Sequence, residues 1–146
     1  MWREYHRDGL SFRFQSGWEL SEDEADLQRT ITLQTTGASF WTLTVFADRP
    51  DPDRILASVL EAFREDYEDL DVYPVTATVL GQPAAGVDLD FVYLDLVNSV
   101  VIRAFQTDEV SVLVMYQGPY YELEEIRADF DTVTESLVFE DHQSDA

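Results

Sequence analysis

Asp88 and Asp90 stand two residues apart in a run where Val87, Leu89, Phe91 and Tyr93 alternate with them. On a strand both carboxylates face the same side, roughly 7 Å apart by strand rise. With Asp95 nearby they form a candidate divalent-cation site, because hard cations take oxygen ligands. Arg103 on the following strand competes for them, and a cross-strand ion pair is the favoured reading. The D-x-[DN]-x-[DN]-G calcium loop is absent. Aromatic residues make a second candidate site. Phe40 and Trp41 are adjacent, so on a strand they point to opposite faces and cannot both enter one core layer. Tyr116, Tyr120 and Tyr121 bracket the turn Gly118-Pro119. Exposed aromatics anchor interfaces, so Phe40, Trp41, Tyr116, Tyr120 and Tyr121 are the expected partner-binding set. The competing reading puts Phe40 and Trp41 under a helix and a loop.

Other chemistries find no residues. The two histidines, His6 and His142, lie near opposite ends. Together with Asp141 they suggest adventitious metal at most, because real sites hold their ligands on rigid elements. There is no G-x-S-x-G, no G-x-G-x-x-G and no P-loop. Gly81-Gln82-Pro83-Ala84-Ala85-Gly86 reads as a turn, since Pro83 removes an amide that a phosphate cradle needs. With no cysteine, disulfides, thiolate nucleophiles and Cys-ligated metals are all excluded. The expectation is a chain without catalysis and without a cofactor.

The 146 residues carry 30 Asp+Glu against nine basic residues, a net charge of −21. All nine are arginine, at 3, 7, 13, 29, 49, 54, 64, 103 and 127. Codon bias of a GC-rich genome explains the missing lysine, and so does adaptation to high salt. Scattered cations in an acidic field argue against nucleic acid, whose phosphates need clustered positive charge. They argue equally against an anionic membrane surface. A basic or hydrophobic protein partner is what remains. The 45% hydrophobic and 13% aromatic content exceeds what disordered chains carry. The length fits one domain, 1–146, with its core at about 5–139 and an acidic polar tail at 140–146.

These sites need elements to hold them. Leu10, Phe12 and Phe14 alternate as a half-buried strand, and Gly17-Trp18 is a turn. The acidic stretch 19–26 reads as an exposed loop. Residues 30–34 and 40–46 form a hairpin broken at Gly37. Asp51-Pro52 starts a helix that runs to about Leu70, with Ile55, Val59, Phe63 and Tyr67 as its buried stripe. Strands follow at 72–80, 84–96, 100–107 and 110–117, with turns at Gly81-Gln82-Pro83, Asn98-Ser99 and Asp108-Glu109. A second helix after Gly118-Pro119 buries Leu123, Ile126, Phe130, Val133 and Leu137, and 137–139 ends as a short strand. Sequential strands with two helices predict the α+β class, an antiparallel sheet with covering helices.

Several of these segments resemble the PsbP/Mog-like α/β sandwich, a family that includes DcrB-type proteins and the effector-associated chaperones of type VI secretion. The resemblance lies in Gly9-Leu10-Ser11-Phe12 leading to Gly17-Trp18, and in the helix from Asp51 to Leu70. It continues in Gly81-Gln82-Pro83-Ala84 and in the ending Glu135-Ser136-Leu137-Val138-Phe139. It implies an α-β-α sandwich and an adaptor role without catalysis, as in extrinsic photosystem subunits and a Ran-binding import factor. The expected function is therefore a binding or adaptor module that engages a protein through a sheet face or edge. The alternative is a small-molecule or divalent-cation binding protein. The first residues contain no apolar leader, and no run is long enough to span a membrane. The expected location is cytoplasmic, or extracytoplasmic if the chain is a trimmed form.

Overall fold

The computed structural model describes residues 1–140. The strands are β1 (Trp2–Arg7), β2 (Leu10–Gln15), β3 (Glu19–Ala25), β4 (Gln28–Gln34) and β5 (Phe40–Phe46). Then come α1 (Pro52–Asp66), β6 (Leu70–Val79), β7 (Gln82–Tyr93), β8 (Leu96–Gln106) and β9 (Ser111–Pro119). The chain ends in α2 (Tyr120–Glu135) and the two-residue β10 (Val138–Phe139). A seven-stranded sheet has the order β3-β4-β5-β9-β8-β7-β6, and a three-stranded sheet has the order β1-β2-β10. All pairs are antiparallel. The expected α+β sandwich is what forms.

Alternation decides the layers. Val87, Leu89, Phe91, Val100, Ile102, Ala104 and Leu113 face α1 and make one core. Trp41, Leu43, Val101, Phe105, Val112, Val114 and Tyr116 face the other way. They meet Leu10, Phe12 and Phe14 of β2, with Leu123, Phe130 and Val133 of α2. The large sheet is thus buried on both faces through its centre.

The α1 start follows the sequence: Asp51 caps it by accepting the Asp53 N–H at 2.9 Å, with Pro52 behind it. The end does not. Tyr67 turns extended, at φ −132° and ψ 119°, and its ring stacks on Phe91 at 4.0 Å. Leu70 is already paired with Phe91 in β6. Aromatic packing on the sheet halts the helix, so Glu68 and Asp69 fall outside it and escape the unfavourable end of its dipole.

Three other expectations are corrected. The acidic stretch is strand β3, not a loop. Its side chains alternate nothing, because it is an exposed edge strand guarded by charge. The Tyr5 hydroxyl, Arg7 and Arg29 converge on its Glu22 and tie β3 to β1. The turn expected at Asn98-Ser99 lies at Leu94-Asp95, with φ of 52° and 63°, while Asn98 and Ser99 pair with Pro119 and Gly118 inside β8. Burying Val87, Leu89 and Phe91 opposite Val100 and Ile102 demands that register, since a one-residue slip would turn every side chain over. The turn before β7 is only Leu80-Gly81, and Gln82 and Pro83 belong to the strand.

The start of α2 is locked to the β4–β5 connection. One oxygen of Glu122 accepts the N–H of Ala38 at 2.9 Å, the N–H of Ser39 at 2.8 Å and the Ser39 hydroxyl at 2.6 Å. Two glycines make room. A Cβ at Gly37 would stand 2.6 Å from that oxygen, and one at Gly118 would stand 2.1 Å from Ser39 Oγ and 3.1 Å from its Cα.

Gly118→Ala is expected to destabilise the protein by about 1–3 kcal/mol through overpacking. Glu122→Ala should lose on the order of 2 kcal/mol, because it strands donors that a charged acceptor satisfies; urea denaturation reads both. A second expectation concerns pH. The Tyr5 hydrogen bond, helped by Arg7 and Arg29, holds the Glu22 carboxyl below its ordinary 4.5. Its contribution is therefore present above that value and is lost as pH falls through the lowered one. Glu22→Gln should cost on the order of 1 kcal/mol at neutral pH, and the two chains should converge in stability in acid.

Candidate functional site

The aromatic set divides into core and surface. Trp41 is completely buried, stacked obliquely on Phe12 at 5.4 Å, with its indole N–H donated to Thr134 Oγ1 at 3.0 Å. Tyr116 is buried against Phe130 and donates its hydroxyl to Asp131 Oδ1 at 2.9 Å. Burial first, then the Asp131 carboxylate, pushes the Tyr116 phenol far above its ordinary 10. Neither side chain can meet a partner in this fold. Phe40 is half-buried. Of the expected set, Tyr120 and Tyr121 are the exposed pair, at 53% and 65%. Pointing to opposite faces sent Trp41 under α2, as the competing reading had it.

The three aspartates do not converge. Asp88 Oδ1 is paired with Arg103 Nη1 at 2.8 Å, the cross-strand ion pair favoured from the sequence. Asp90 Oδ1 accepts the Ser99 hydroxyl at 2.7 Å. Asp95 sits apart in the β7–β8 turn. Among the described residues no group of three or more acids or histidines is arranged to hold a metal. His6 lies on β1, 3.9 Å from Glu140. Asp141 and His142 lie outside the described residues.

The feature that sequence reading missed is the tip of the β7–β8 hairpin. Val92 and Val97 pair across it, as do Tyr93 and Leu96. Val92, Tyr93, Leu94, Leu96 and Val97 are all exposed, Leu94 the most at 77%. Asn98 pairs with Pro119, so Val97 lies beside Tyr120 at the start of α2. The tip is apolar on both faces: Val92 and Val97 on one, Tyr93 and Leu96 on the α1 side, where Tyr93 meets Tyr67 at 6.3 Å. Acids surround it: Asp95 in the turn, with Glu68 and Asp69 just before the Leu70 that pairs with Phe91. The signal was present as Val-Tyr-Leu-Asp-Leu-Val, apolar at five of six positions and so without alternation. It reads as ordinary buried strand until the register puts it beyond β9.

A polar cleft of about 440 Å³ lies between α2, the β6–β7 turn and strands β8 and β9, with Arg103 and Arg127 in its walls. A second cleft, about 290 Å³, lies beside the β1–β2 turn.

No family model matches this sequence, and no curated protein matches it. Solved structures do. The solution structure of cyanobacterial PsbP (CyanoP) from Synechocystis sp. PCC 6803 superposes with a TM-score of 0.64 at 10% identity, over 95% of this chain and 92% of that one. The fold is PsbP-like. LpqN of Mycobacterium tuberculosis, described as involved in cell envelope biogenesis, is similar at a TM-score of 0.52 and 10% identity, over 97% of this chain and 91% of that one. The Pseudomonas aeruginosa protein of unknown function PA94 aligns at 0.58 and 11% identity, over 96% and 98%. A Bacteroides thetaiotaomicron structure aligns at 0.61 and 9% identity over 92% of this chain, which spans 46% of that longer one. At about 10% identity the likeness to these PsbP-like structures is one of fold. Among the described residues no helix is long and apolar enough to cross a membrane.

The division of the aromatics sets an expectation. Trp41→Ala should destabilise by about 3–5 kcal/mol, as large core truncations do. Tyr121→Ser should change stability by less than about 0.5 kcal/mol. Chemical denaturation of the two variants checks the assignment.

Proposed function

We propose that this protein is a binding module without catalysis, and that it docks on a protein partner through the β7–β8 hairpin tip and the first turn of α2. One observation carries the reading: seven exposed apolar or aromatic residues, Val92, Tyr93, Leu94, Leu96, Val97, Tyr120 and Tyr121, lie on the β7–β8 tip and the first turn of α2 in a chain of charge −21. Clustered exposed apolar surface favours interaction, and tyrosines are favoured anchors.

Backbone conformation supports it. The β1–β2 turn Asp8-Gly9 and the β6–β7 turn Leu80-Gly81 are two-residue turns with both φ positive, and each has glycine second. Such turns favour Asn-Gly or Asp-Gly. The third, Leu94-Asp95, has leucine first as the β6–β7 turn does, and differs from both in lacking the glycine. Each non-glycine residue in the left-handed region costs roughly 1–2 kcal/mol, and this turn carries two. Strain kept beside an exposed apolar side chain fits a role in contact.

The rim gives the partner its chemistry. Carboxylates at Glu68, Asp69 and Asp95 favour an apolar surface edged with Arg or Lys. They oppose a second copy, which would bring like charges together. Leu94→Asn should stabilise the turn by about 0.5–1 kcal/mol and, combined with Tyr121→Ser, abolish partner capture. Affinity capture from host lysate, compared between wild type and the double variant, reads this. A stoichiometric partner with a basic surface, lost on the variant, is the expected result. A partner retained by the variant, a concentration-dependent dimer through the tip, or binding to phosphatidylcholine vesicles instead would overturn it.

A further inference from the structure

The cleft beside α2 is built around two of the nine cations in the chain. Arg103 lies flat across β7, because Gly86 leaves the backbone bare beneath it; a Cβ there would stand 3.3 Å from the guanidinium stem and 3.1 Å from Val75 O. Only its Nη1 is engaged, by Asp88 Oδ1 at 2.8 Å and the carbonyls of Ile102 and Val87. Nη2 and Nε have no acceptor among the described residues and face the solvent of the cleft from a side chain that is 16% exposed. Arg127 faces the same cleft from α2, loosely paired with Glu124 at 4.0 Å and within the field of Asp131 and Asp88. The floor is apolar: Val79, Val101 and Val114 are all buried. Asp131, which accepts the Tyr116 hydroxyl, and Glu135 put two carboxylates in the lining as well.

The geometry points to this cleft as a binding site for a small organic oxyanion with a short apolar body, distinct from the docking end. A guanidinium offers a planar fork of donors that matches carboxylate and phosphate oxygens two at a time. Arg103 is held rigidly and has one edge of that fork unspent. Arg127 supplies a second cation from the opposite wall, and the valines take the body. The volume, about 440 Å³, lies within the range of small-molecule sites. The acids of the chain, Asp131 and Glu135 in the lining included, oppose an anion, whereas the guanidinium contact is made at hydrogen-bond distance. Added salt should therefore relieve the first more than the second.

Hexanoate and phenyl phosphate are the probes, titrated into the ¹⁵N-labelled protein at moderate salt, with hexan-1-ol and hexylammonium as controls. The expected result is shifts at Val79, Val101, Val114 and the Arg103 Nε–H for an oxyanion, and the tighter of the two probes names the class. Arg103→Lys keeps the charge but loses the fork, and Arg127→Gln removes an outlying cation. Each should weaken oxyanion binding by about tenfold while the amide spectrum stays dispersed. The site is overturned if neither oxyanion shifts these resonances, if hexanol or hexylammonium binds as well, or if folded Arg127→Gln binds the oxyanions like wild type.

Discussion

The Glu122 carboxylate is the constraint on which most of this architecture rests. Pro119 gives α2 no side-chain cap, so the helix begins without the local signal that usually starts one. Instead Glu122 in its first turn reaches across to Ala38 and Ser39. An acid at a helix start is favoured by the dipole, and here the same charge satisfies the loop between β4 and β5. The helix axis is thereby set against the sheet. From that follow the Trp41 bond to Thr134, the Tyr116 bond to Asp131 and the edge contact of Trp18 with Phe130 at 5.3 Å. At the other end of α2 the Ser136 hydroxyl accepts the Arg13 N–H at 2.9 Å and hands the chain to β10. Large sheet, helix and small sheet are one mechanical series.

The arginines explain how an acidic chain holds itself together with few cations. Arg3, Arg13 and Arg29 lie over the rings of Phe14, Trp2 and Tyr5. Arg49 gives two nitrogens to the Thr107 carbonyl. Arg7 pairs with Glu22 from one sheet to the other, and Arg103 with Asp88 on the neighbouring strand. These are contacts for a planar, multi-donor group, and a lysine ammonium would make few of them. The basic residues act mainly as cross-links, and most carboxylates are left to face water.

The buried half of the structure was legible because burial leaves a period. The α1 stripe, the α2 stripe from Leu123 to Val133, the alternation around Val87–Phe91 and the hairpin of β4 and β5 all lie where the spacing puts them. Segments buried on neither face, or shaped by distant contacts, were not legible. β3 is acidic on both sides, and β1 contributes little more than Tyr5 to the core. The end of α1 depends on Phe91, some two dozen residues away. The Asp88–Arg103 pair was legible because it needs only strand geometry. Trp41 was not placed by its type alone, since an aromatic opening a strand serves a core or an interface equally well. The hairpin tip was hidden for a different reason. Its residues look like core, and only their position past the end of β9 exposes them.

The two ends of the described chain meet in the small sheet, where Ser11 pairs with Val138 and Leu10 with Phe139. Gly9 also accepts the Glu140 N–H at 2.7 Å. That contact spans nearly the whole described chain, so closing it costs more loop entropy than any hairpin in the fold. The small sheet therefore closes only after the large sheet and α2 have brought β2 and β10 together, as a clasp does.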